Sequence, residues 1–397
     1  MNPPSLGSKA PSRRGERALP LLLAILAAAV IGLIASGQPG QLLGAGLTYI
    51  PFVILAWLAY TGTRHRWARV ATVLWLLGAL VGGTTALGLG LIVAALGSLD
   101  VAAGQSRTIV ISGTLQAVPA WVPLGFLGGG VLALACYLPP VRRLAARGLP
   151  LDPASFVHAT ALASVVSLTW LSCVPLLALG QAPLLVSGVL AGAGQDQPAS
   201  TREQLAELAA ALAWILPSAL VAVGYPAVRG LGAAAERLAL VPPTRRQVAL
   251  GVAAAVLLVV LIDPVEWGVA ALWEALGWPT SPAESVEHLF ARNLNPVGAV
   301  VMGITAGLSE ELLCRGVLQP RLGRLLPNLF FTALHAYQYN TDGLLVVFLL
   351  GLVFGVLRER TNTTVCALVH GLYDCLLVLT IVLDLPTLSG LLGLEPH

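Results

Sequence analysis

From Leu19 almost to the C-terminus the chain repeats one pattern: an apolar run long enough to cross a bilayer, then a short connection. A membrane helix needs roughly 20 apolar residues to traverse the ~30 Å hydrocarbon core. The runs are rich in Ala, Leu, Val and Gly and lack the alternating apolar and polar segments of an outer-membrane barrel. They predict an all-α, polytopic membrane bundle of about 11 transmembrane helices, within a range of 9–12. The expected spans are residues 19–36, 42–60, 70–97, 119–139, 154–179, 207–226, 248–263, 297–318, 325–340, 343–357 and 361–383. Composition agrees: 57% of residues are hydrophobic and only 10% charged, where soluble domains carry about a quarter charged.

The connections test the count. Arg13, Arg14 and Arg17 precede the first run, Arg64, Arg66 and Arg69 follow the second, and Arg142, Arg143 and Arg147 follow the fourth. Arg229, Arg237, Arg245 and Arg246 follow the sixth, Arg321 and Arg324 the eighth, Arg358 and Arg360 the tenth. Alternate connections, such as 98–118 and 180–206, are nearly free of arginine. The positive-inside rule then predicts a multi-pass protein with a cytoplasmic N-terminus; the membrane expected is a bacterial inner membrane. The basic-then-apolar start resembles a signal sequence, and the many later spans make it an uncleaved first helix. A net charge of +3 confined to loops gives no reason to expect nucleic acid. Cys136, Cys173, Cys314, Cys366 and Cys375 all fall in apolar segments and match no zinc or disulfide spacing.

Two features divide the chain. The basic stretch 228–247 reads as a junction, and charge deep in apolar runs occurs almost only after it. This predicts a membrane-helical extension over 1–247, a functional membrane core over 248–385 and a tail over 386–397. Residues 264–278, after the Asp263–Pro264 break, carry Trp267, Trp273 and Trp278 and read as an interfacial helix.

Glu310, Glu311, Arg315 and Asp374 stand inside apolar runs. Each would cost roughly 2.5–3.5 kcal/mol at mid-bilayer, on the order of 10 kcal/mol together, so they must pair, protonate or face a wet cavity. Glu311 and Arg315 are one turn apart and form an expected i,i+4 ion pair. Glu310 points about 100° away from Glu311, free to face elsewhere. Gly303 and Gly307 form a GxxxG pair that admits a close neighbouring helix. Phe331 with His335, and His370 with Asp374, repeat the one-turn spacing on two further helices. Counted from the arginine loops, Glu310, His335 and His370 all lie about 15 Å deep. A lone intramembrane His or Glu is as often a bridge between helices as a working group. Matched depth on three consecutive helices favours a site. His65, His158, His288 and His397 lie near expected surfaces and read as ordinary, and Asp263, Glu266 and Glu274 as structural.

These residues resemble a known pattern. "EELLCR" (310–315) fits EExxxR, "FTALH" (331–335) fits FxxxH, and "HGLYD" (370–374) fits HxxxN with Asp in place of Asn. In this order on successive membrane helices, they look like the CPBP family (CAAX protease and bacteriocin-processing, or Abi), whose best-known members are type II CAAX prenyl endopeptidases. The resemblance covers about 248–385. It implies an intramembrane endopeptidase in which Glu310 and His335 activate water and His370 and Asp374 stabilise the oxyanion. Glu311 and Arg315 would brace the site, with Phe331 packed beside it. The implied substrate is a membrane-anchored protein or peptide: a CAAX-type or other C-terminal sorting tail, or a bacteriocin leader. An ionised Asp374 would repel an oxyanion, so it is expected to be protonated or tied to His370. The reading leans towards no cofactor, because Arg315 disfavours a divalent cation. The alternative is zinc or another divalent metal on Glu310, His335 and His370 with an open water position. Neither HExxH nor a serine motif followed by a membrane His is present. Two other functions stay open: a proton-coupled transporter relaying protons through the same groups, and a non-catalytic immunity or scaffold protein of the same fold.

Overall fold

A computed structural model describes residues 39–97, 121–186 and 198–393, together with Ala27, Ile31, Gly32 and Gly37. The expected span 19–36 therefore lies almost wholly outside the described residues. Among those described, every regular element is helical: α1 Pro39–Thr61, α2 Arg66–Gly97, α3 Val122–Ala135, α4 Pro139–Ala145, α5 Phe156–Leu179, α6 Pro183–Val186, α7 Thr201–Ala222 and α8 Leu231–Arg237. The second half contains α9 Arg245–Ala275, α10 Ala283–Phe290, α11 Pro296–Glu311, a π-helical segment Leu312–Leu318, α12 Gln319–Leu322, α13 Leu325–Leu334, α14 Thr341–Arg360, α15 Thr363–Val382 and α16 Leu388–Leu391. Eight of these helices or helix runs are long and apolar enough to cross a membrane, or nine if the bent pair α3–α4 counts as one span. The protein is an all-α polytopic membrane bundle.

Local chemistry sets the ends. Ser200 and Glu203 form a capping box that starts α7, and Thr244 with Gln247 does the same for α9. Ser155 caps α5, which ends at Gly180 in the left-handed conformation (φ 71°). Pro51, Pro175, Pro217 and Pro264 sit inside helices, as membrane helices tolerate.

Four expectations need correction. The Asp263–Pro264 break is absent: α9 runs unbroken through it for 31 residues, because flanking helices stabilise a Pro-containing turn in apolar surroundings. Trp273 is buried, donates to Thr341 Oγ1 at 2.8 Å and packs edge-on against Trp278, so it is not an interfacial anchor. The expected span 325–340 is a helix of only 10 residues that stops before His335. Likewise 119–139 is a short helix turned through 87° into α4.

Several arginines of the described connections gather around helix C-termini, as the macrodipole favours. Arg321, almost fully buried, donates to Val317 O at 3.0 Å and to Tyr60 Oη at 2.6 Å; Ala222 O accepts from it at 3.2 Å. Arg229 donates to Val223 O, and Arg237 to Gly316 O at 3.1 Å. Burial pushes Arg237 down to about 10, assisted by neighbouring cations, so it stays charged at neutral pH.

The largest buried cluster runs through both halves, from Leu55, Leu76 and Leu216 to Leu312, Cys314 and Phe331. A second joins α9, α14 and α15 around Phe354 and Val369. The closest helix pairing is α11 with α15. A Cβ built on Gly303 would come within 2.2 Å of Gly371 O, and one on Gly307 within 2.6 Å of Ala367 O. Only glycine lets these backbones touch, so the GxxxG pair docks α11 on α15 one turn before the glutamates.

Candidate active site

That contact places the acidic pair. Glu311 follows Gly307 by one turn, and His370 precedes Gly371. His370 Nδ1 donates to Glu311 Oε1 at 2.8 Å. Arg315 Nη1 pairs with the same oxygen at 3.0 Å, forming the expected i,i+4 ion pair. Glu311 is 0% and Arg315 2% exposed, so each depends on the other for compensation in a medium that punishes lone charges. Arg315 also donates to Gly351 O at 2.9 Å and lies over the rings of Phe331 and Phe354, 4.6 and 5.6 Å from their centroids. Phe354 in turn stacks on His370 at 4.5 Å.

Glu310 is disposed differently. Its side chain is 29% exposed, and its Oε2 lies 3.8 Å from His370 Nε2. The same nitrogen is 3.4 Å from Asp374 Oδ2. One imidazole thus faces Glu311 through Nδ1 and Glu310 and Asp374 through Nε2. The structure brings Glu310, Glu311, Arg315, His370 and Asp374 together.

His335 stands apart from that set. It lies on the turn after α13, in the helix C-cap position (φ −89°, ψ −1°), not mid-helix. Its Nδ1 lies 2.9 Å from Phe331 O, the donor in the tautomer that makes this bond. Its ring packs against Phe331 at 5.0 Å and stacks on Tyr339 at 6.2 Å. Phe331 touches both histidine rings, the second at 6.1 Å, and so joins the two parts.

The turn carrying His335 is tied from two sides. Asn340 accepts from Ala182 N at 2.6 Å, donates to Thr280 O at 2.7 Å, and its backbone N–H donates to Ser281 Oγ at 2.9 Å. Ser281 donates through N and Oγ to Asp342 at 2.6 and 2.7 Å. Tyr337 O accepts from Leu184 N at 3.0 Å.

Sequence reasoning missed several of these residues. Gly351 and Gly355 form a second GxxxG pair. A Cβ on Gly351 would come within 1.9 Å of Asn328 Oδ1, so this glycine both seats α13 on α14 and exposes the carbonyl that Arg315 uses. Gly371, Phe354 and Asn340 gave no motif. The π-helical turn at 312–318 was equally silent, although such turns cluster at functional sites.

His335, one of the three alternative metal ligands, lies past the helix end with its ring against Phe331 and Tyr339. Among the described residues no three His, Cys, Asp or Glu side chains are placed to hold a metal ion. Elsewhere, His158 accepts from Asp152 N at 2.9 Å, His65 stacks on Trp67 and Asp263 takes two hydrogen bonds from Ser389. The five cysteines are free, and His397 lies outside the described residues.

No curated protein and no solved structure matches the chain. Residues 292–376 match the family model of type II CAAX prenyl endopeptidase Rce1-like proteins, a stretch that contains every member of the cluster and the His335 turn. The similarity to the CPBP family, the group that includes the CAAX-type intramembrane proteases, is carried by this C-terminal membrane stretch.

Proposed function

We propose that this chain is an intramembrane endopeptidase that hydrolyses a peptide bond in a membrane-anchored protein or peptide, using water activated by Glu310 and His335. The observation that carries the reading is the contrast between adjacent glutamates. Glu311 is wholly buried and committed to Arg315 and His370, while Glu310 keeps an accessible carboxylate beside the same imidazole.

Peptide hydrolysis needs a base within reach of a water and donors where negative charge develops. Glu310 takes a proton from the water as its oxygen bonds to the carbonyl carbon, then returns it to the leaving amine as the C–N bond breaks. With Nδ1 committed to Phe331 O, His335 offers Nε2 as acceptor for the water's other hydrogen. Glu311 accepts the Nδ1 hydrogen of His370, so it is the imidazolium form, carrying a second hydrogen on Nε2 beside Glu310 and Asp374, that donates to the oxyanion. Asp374, beside that nitrogen, orients the imidazole rather than binding the oxyanion itself. Arg315 pairs with the buried Glu311 carboxylate and so holds the oxygen that orients the His370 ring. No step is routed through a metal. The substrate class follows the family: a CAAX-type or other C-terminal sorting tail, or a leader peptide, presented from the membrane of a bacterium.

The test compares protein termini in membranes of cells making the parent chain, Glu310→Gln or His335→Ala. New termini that depend on the parent chain and vanish with both variants, at equal protein levels, are expected. The same termini with either variant would overturn the assignment. Proton flux in vesicles that requires these residues, without altered termini, would support the transporter instead.

A further inference from the structure

On the far side of the α11–α15 contact lies an apolar groove of about 450 Å³. Gly303 and Gly371 line it, with Ile304 and Leu308 on one wall and Leu368 and Leu372 on the other. Glu310, Glu311, His335, His370 and Asp374 do not line it, so it is separate from the candidate active site. Val300 is 47% and Ile304 38% exposed, so the groove opens on the outer surface of the bundle, where lipid lies.

Its polarity changes at one end. Val241, Pro242, Thr363 and Thr364 form that end, held together by Val241 N donating to Thr364 Oγ1 at 3.1 Å. Thr364 is partly exposed there, and because its Oγ1 accepts from Val241 N, its own hydroxyl hydrogen is free to donate to a ligand oxygen. Just beyond Pro242, Arg245 and Arg246 open α9, exposed at the basic end of the bundle. From Cys375 to Thr363 along α15 the groove runs about 18 Å at 1.5 Å per residue, close to one leaflet of a ~30 Å core. An apolar trough, a hydroxyl and two cations follow one another in the order of a phospholipid's parts.

We infer that this groove holds one anionic glycerophospholipid of the bilayer. An acyl chain lies against Leu308, Leu368 and Leu372, the glycerol ester meets Thr364, and the phosphate meets Arg245 and Arg246. The lipid thereby backs the helix pair that carries Glu311 and His370 without entering the site.

The test uses the full chain reconstituted in vesicles of equal phosphatidylglycerol and phosphatidylcholine, then extracted and weighed intact by native mass spectrometry. One phosphatidylglycerol retained per chain is expected, preferred over phosphatidylcholine by about thirtyfold, as two interfacial arginines would give. Arg245→Gln with Arg246→Gln, exposed changes that leave folding intact by circular dichroism, should bring the preference close to one. Thr364→Val should weaken retention of both lipids severalfold, and Leu368→Trp should abolish it by filling the trough. Equal retention of the two lipids by the parent chain would overturn the inference. So would phosphatidylglycerol retention that the double arginine variant leaves unchanged.

Discussion

The α11–α15 side of the candidate site and the α13–α14 turn opposite it are built by different forces. On the first side, backbone touches backbone at Gly303, Gly307 and Gly371, and a buried ion pair locks Glu311, Arg315 and His370 in place. On the second, His335 sits on an irregular turn whose position depends on hydrogen bonds from residues 182, 184, 280 and 281. All the parts of the first side fall within the matched stretch 292–376; the anchors of the second lie outside it. The difference teaches that the N-terminal helices and the α9–α10 connection help position the very turn that the family motif marks.

Breaking the glycine contact should have the largest effect. Gly371→Leu pushes a side chain into Gly303 O, already 2.6 Å from a built Cβ. A loss of about 5 kcal/mol or more is expected, read as failure to accumulate a monodisperse folded protein. Next comes Arg315→Ala, which leaves Glu311 buried and unpaired. Thermal unfolding should report a loss of about 3–5 kcal/mol. The double change Glu311→Leu with Arg315→Leu should cost less than Arg315→Ala alone. On the other side, Asn340→Ala removes two side-chain hydrogen bonds and should cost about 1–3 kcal/mol. Cleavage should fall about tenfold through kcat with KM unchanged, because only the His335 turn is released. A fall in KM-dependent binding alone would show that Asn340 does not position His335. The smallest effect expected is none: rigorous chelation of the purified protein should leave its cleavage rate unaltered, and a loss restored by zinc would break the reading that no metal joins the two sides.

Much of this architecture was legible because lipid imposes simple rules. Apolar length gave most spans, and the one-turn spacing of Glu311 and Arg315 gave their ion pair. Gly303 and Gly307 announced a close neighbour but not which one, since Gly371 stands alone in sequence and its role exists only once the helices cross. The His335 turn was unreadable for a related reason. Residues 325–340 are apolar enough to continue a helix, and what stops it is tertiary: Ala182, Leu184, Thr280 and Ser281 offer hydrogen bonds to the 337–340 backbone and the Asn340 side chain. Pro264 misled in the opposite direction, because proline breaks helices in water more readily than in a packed apolar bundle. The stacking of Phe354 on His370 required the register of α14 against α15, which no local pattern encodes.

The central claim is that two adjacent glutamates have opposite jobs, and one paired measurement tests it most directly. Glu310→Gln and Glu311→Gln are each purified as full chains, and thermal unfolding and cleavage of a membrane-anchored substrate are recorded side by side. The account predicts that Glu310→Gln unfolds with the parent chain yet loses cleavage by about 10²-fold or more, whereas Glu311→Gln unfolds well below it. Cleavage at the parent rate by a folded Glu310→Gln protein would contradict the account.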